Sequence, residues 1–77
     1  MHGHGVLSET AQRVLSALEG LTPFAETIVR RQAEHLGHTL ETVPLEAHRA
    51  LAQRVLLAAK VYLEPTAFAR LEVALRA

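Results

Sequence analysis

Two of its four glycines and all three prolines punctuate this 77-residue chain, and their positions constrain its fold more than any other feature. Gly20, Pro23, Gly37, Pro44 and Pro65 fall between stretches whose apolar residues recur every three or four positions. That is the period of a helix buried along one side. Glycine reaches the left-handed conformation cheaply and so stops a helix. Proline fits the first helical turn, where its missing N–H costs nothing. The pattern predicts four helices with short connections.

The first helix is expected over 9–19. Ser8 suits the N-cap, and Glu9 lies in the first turn, where the helix dipole favours negative charge. Ala11, Val14, Leu15 and Leu18 follow at helical spacing before Gly20. The second helix opens at Thr22 and Pro23 and closes at Gly37. Its apolar stripe is Phe24, Ala25, Ile28, Val29, Ala33 and Leu36, and Phe24, Ile28, Val29 and Leu36 are expected to hold it to the core. Glu26, Arg30, Arg31 and Glu34 fall mostly on the other side. Glu26 and Arg30 stand four apart, acid first, a pair worth roughly 0.2–0.5 kcal/mol on an exposed helix.

Residues 38–43, HTLETV, make a short connection from which Leu40 and Val43 turn inward. The third helix is expected over 44–63, capped by either Thr42 or Val43. Glu46, Arg49, Gln53 and Arg54 give its first half a polar side. Its second half, VLLAAKVYL, is apolar nearly all round, interrupted by Lys60. A proline disfavours helical geometry at the residue before it, so the helix should end near Leu63 or Glu64. The fourth helix then starts at Glu64 or Pro65 and carries Phe68, Leu71 and Leu75, with Arg76 well placed at its C-terminal end. One helix kinked at Pro65 is the alternative. The expected fold is all-α, a small four-helix bundle or orthogonal helical array. Residues 1–7 are expected as a flexible N-terminal segment and 8–77 as a single helical domain.

Composition narrows the chemistry. Almost half the residues are apolar, yet three are aromatic, a mixture that suits packed helices better than sheets. With no cysteine there is no disulfide, thiolate nucleophile or cysteine-ligated metal. No apolar run reaches the roughly 18–20 residues of a membrane span. The opening MHGHGVLSET lacks the basic start and long apolar stretch of a signal peptide, so a cytoplasmic protein is expected. Formal charge is zero, without the basic excess of a dedicated nucleic-acid binder and permissive for self-association.

No constellation for catalysis stands out. Every carboxylate is a Glu, placed singly, and no serine sits in a nucleophile-elbow sequence. No enzyme activity is expected. His2 and His4 lie near the N-terminal amine, a chelating combination only if the segment is held in place. His35 and His38 are three apart, but Gly37 stands between them and takes the second off the helix; His48 is isolated. Neither a metal site nor a cofactor is expected. Arg30 and Arg31, with Arg13, Arg49 or Arg54, form a candidate anion or nucleic-acid patch, set against interleaving acids that favour a solvated helix side. Tyr62 and Phe68 are a candidate aromatic pair at a helix junction, there as core packing or as a pocket wall.

The stretch from Leu7 to about Ala50 carries a family likeness. LTPFAETIVRRQAEHLG supplies Leu21, Pro23, Phe24, Arg30, Glu34 and Gly37, and TVPLEAHRA supplies Val43, Glu46 and Ala50. In these positions the chain resembles the C-terminal helical domain of the light-independent protochlorophyllide reductase B subunit, which also occurs as short free-standing bacterial proteins. Pro23 stands one place late, a tryptophan usual near the start is absent, Pro44 replaces a threonine, and the tail from Val55 lies outside the likeness. The resemblance implies a compact helical accessory domain that contacts a larger partner, and it carries over no catalytic residue.

A domain this small hides only about 60% of its unfolded surface. An apolar run from Val55 to Leu63 therefore points to cover by a second copy. The expected function is a non-enzymatic helical protein–protein interaction module, self-associating as a homodimer or other homo-oligomer, with Val55, Leu57, Val61 and Phe68 at the interface. The alternatives are anion or nucleic-acid binding through the arginines, and metal or tetrapyrrole binding through His2, His4, His35 or His38.

Overall fold

Ser8 sets the first helix in place twice over. Its hydroxyl accepts the Ala11 N–H at 3.1 Å, and its own N–H donates to the Leu40 carbonyl at 2.9 Å. The computed structural model describes residues 6–76. Its helices are α1 (Glu9–Leu18), α2 (Ala25–His35), α3 (His48–Ala59) and α4 (Pro65–Arg76), with a 3₁₀ turn over Leu45–Ala47 leading into α3. No strand occurs among the described residues, and the fold is the expected small all-α bundle. None of these helices is long and apolar enough to cross a membrane.

The core takes side chains from every helix and from the α2–α3 connection. Leu18, Leu51 and Leu71 are its largest fully buried residues, joined by Val14, Val29, Val43 and Val55. Leu40 and Val43 do turn inward. The threonines on either side of Leu40 hold them there: the Thr42 hydroxyl accepts the Thr39 N–H at 3.0 Å, and the Thr39 hydroxyl accepts the Thr42 N–H at 3.2 Å. That reciprocal pair corrects the expectation that Thr42 or Val43 caps helix three. Pro44 precedes the 3₁₀ turn, without a side-chain cap.

Gly37 ends α2 as its conformational freedom allows. At φ +85° it lets the His38 N–H reach the Ala33 carbonyl and its own N–H reach the Glu34 carbonyl, both at 2.9 Å. This is a Schellman closure, which satisfies carbonyls that the helix end leaves free.

The structure departs from expectation at four further points. Leu7, assigned to the flexible segment, packs against the core and accepts a 2.8 Å bond from the Gln12 side chain; the rest of that segment, apart from exposed Val6, lies outside the described residues. Pro23 is not the first residue of α2. The Thr22 hydroxyl accepts the Phe24 N–H at 3.1 Å, so Pro23 and Phe24 belong to a turn and the helix begins at Ala25. Phe24 therefore stands outside the stripe and is exposed, not a core anchor. Helix three stops at Ala59, not near Leu63. Its end tightens as Val61 and Tyr62 donate to carbonyls three residues back, Ala58 and Ala59. This breaks the chain before Pro65 and excludes one kinked helix.

Candidate functional site

At 100° per residue, α3 divides its own apolar residues between two sides. Val55 aligns with Leu51, Ala52 and Ala59 and is fully buried at 0% exposure, whereas Leu57, 200° from Val55, is 71% exposed. One turn further on, Val61 is 83% exposed. Val55 is thus a core residue and drops out of the expected interface. Leu57 and Val61 stay on the surface. Phe68 lies half-buried on α4.

The early end of α3 has a second consequence. It swings Tyr62 back to the start of α2, where its ring meets Phe24 with centroids 5.6 Å apart and planes tilted by 42°. The two rings remain 52% and 55% exposed for Phe24 and Tyr62. The expected partner of Tyr62 was Phe68, and the structure supplies Phe24 instead. At the other end of the pair, the Arg54 guanidinium donates to Gln32 at 3.1 Å. Gln32–Arg54 and Phe24–Tyr62 together fix α2 and α3 as antiparallel neighbours. Phe24 and Tyr62 therefore meet where α2 begins, while Leu57 stands exposed in the last turn of α3 and Val61 just past its end.

The polar candidates scatter. Arg30 pairs with Glu26 at 3.3 Å, as expected, and Arg13 with Glu9 at 2.6 Å; both are exposed pairs four apart on one helix. Such pairs contribute about 0.3–0.5 kcal/mol each. Arg13 and Arg49 line a cleft between α1, α3 and α4, in which Arg30, Arg31 and Arg54 take no part. The expected arginine patch is therefore split. His35 is the last residue of α2 and exposed, while His38 and His48 are half-buried on separate elements. His2 and His4 lie outside the described residues. No three His, Glu or Asp side chains among the described residues converge as metal ligands. The hydroxyls of Ser8, Thr22, Thr39 and Thr42 all accept backbone N–H groups, which is structural work.

Fold and surface define a small all-α domain with an exposed aromatic pair at one helix junction. Comparison of the chain with protein-family models, curated proteins and solved structures found no match.

Proposed function

We propose that the chain is a non-enzymatic helical interaction module of the cytoplasm that self-associates through Phe24, Leu57, Val61 and Tyr62. The observation that carries this reading is that Leu57 and Val61, at the end of α3, and the Phe24–Tyr62 ring pair all remain exposed. Aromatic and aliphatic side chains grouped on a surface are the usual energetic centre of a protein contact. Zero formal charge removes the long-range repulsion that would oppose two copies meeting. A two-fold pairing is the simplest closed arrangement. A standard interface covers about 800 Å² on each partner, so the surface would extend past these four side chains to polar neighbours such as Arg54 on the α2–α3 side.

Sedimentation of Leu57→Glu and Val61→Glu beside the unmodified chain tests this, with circular dichroism to follow the fold. Both variants should keep their helices and lose self-association. Unchanged assembly in both would overturn the surface assignment.

A further inference from the structure

On a different side of α3, the cleft between α1, α3 and α4 gathers Arg13, His48, Arg49 and Arg76 around a space of about 500 Å³. Half-buried Leu56 lies in its wall, and Glu72 is its one acid. We propose that this cleft binds a phosphate monoester carried on an apolar body. The proposal is independent of the self-association surface.

Three arguments lead there. The first is convergence: three of the seven arginines reach one concavity from three helices far apart in sequence. Guanidinium offers paired N–H donors matched to phosphate oxygens, and imidazole keeps an N–H donor in either charge state. The second is placement. His48 and Arg49 open α3, whose dipole places positive potential at that end even though the preceding 3₁₀ turn takes up the His48 N–H through the Leu45 carbonyl. The first turn of α3 has no acid and no side-chain cap. Cations at that end of a helix are unfavourable alone and favourable around an anion. Glu46, in the 3₁₀ turn two residues before His48, is exposed and does not line the cleft. The third is availability. Arg49 enters no ion pair among the described residues, Arg76 is held loosely by Glu72 at 3.9 Å, and the Arg13–Glu9 pair is solvent-exposed. Exposed pairs of this kind contribute little, so an incoming dianion displaces them readily. Leu56 gives an attached apolar group a surface to cover.

The test is a 1H–15N titration of the full chain with phenyl phosphate and with inorganic phosphate, at ionic strength held constant with sodium chloride. Phenyl phosphate should give saturable shifts at His48, Arg49 and the last turn of α4, and bind more tightly than inorganic phosphate. An Arg49→Gln/Arg76→Gln variant with unchanged circular dichroism should bind about tenfold more weakly or worse. Co-sedimentation with phosphatidate vesicles, lost in that variant, would identify a lipid as the source of the same phosphate group; no co-sedimentation identifies a soluble ester. Non-saturating shifts spread equally over Arg30, Arg31 and Arg54, or binding unchanged in the double variant, would overturn the proposal.

Discussion

Every exposed position along α1 carries a polar side chain: Glu9, Gln12, Arg13 and Ser16. Along α3 the outward side carries Arg49, Gln53 and Arg54 with the small Ala50 among them, and then large apolar side chains appear at Leu57 and, just past the helix, at Val61 and Tyr62. The two regions belong to one core and bury comparable side chains, Val14 and Leu18 in α1, Leu51 and Val55 in α3. The core therefore explains the inward residues of both helices and the outward residues of neither. In α1 the outward residues need only water. At the end of α3 they leave apolar area in water that burial would stabilise by about 25 cal/mol per Å². Folding the single chain does not account for that choice, and the proposed contact with a second copy would.

The sharpest way to break this contrast is to compare two leucines of α3. Leu51→Ala should cost about 2–5 kcal/mol in urea denaturation, because it empties a fully buried site. Leu57→Ala, measured at concentrations too low for association, should change stability by less than about 0.5 kcal/mol. Equal losses at both positions would erase the distinction between core and contact residue. Gly37→Ala comes next. Its new Cβ would meet no atom within 4 Å, so the cost is the left-handed backbone alone, about 1–2 kcal/mol. Ser8→Ala should lose about 1 kcal/mol with its cap, and a chemical melt reads both. The smallest effect is expected for Arg31→Ala, below about 0.5 kcal/mol in stability by chemical melt and without influence on assembly by sedimentation, as suits an exposed side chain with no ion pair among the described residues.

How much of this was legible in the sequence follows from the range of the interactions. Helix identity rests on local period and on caps, so Ser8, Gly20 and Gly37 marked their boundaries correctly. The inward turn of Leu40 and Val43 was equally readable from the short HTLETV connection. Three features escaped the helical period, the first through a local turn and the other two through packing. Phe24 fits the period of α2, but a hydroxyl two residues earlier places it in the preceding turn. Val55 and Leu57 belong to one apolar run, and only the phase fixed by packing partners separates buried from exposed. Tyr62 finds Phe24 because α3 ends one turn early, which the proline-based boundary overshot. The α1–α3–α4 cleft was the least legible, since its arginines lie on three helices and no stretch of sequence shows them together.

The most direct trial of the central claim is sedimentation equilibrium of the unmodified chain across a wide range of concentrations. The account predicts a mass that climbs from one chain toward an integral multiple as concentration rises. A mass of one chain at every concentration, with Leu57 and Val61 still facing water, would contradict it.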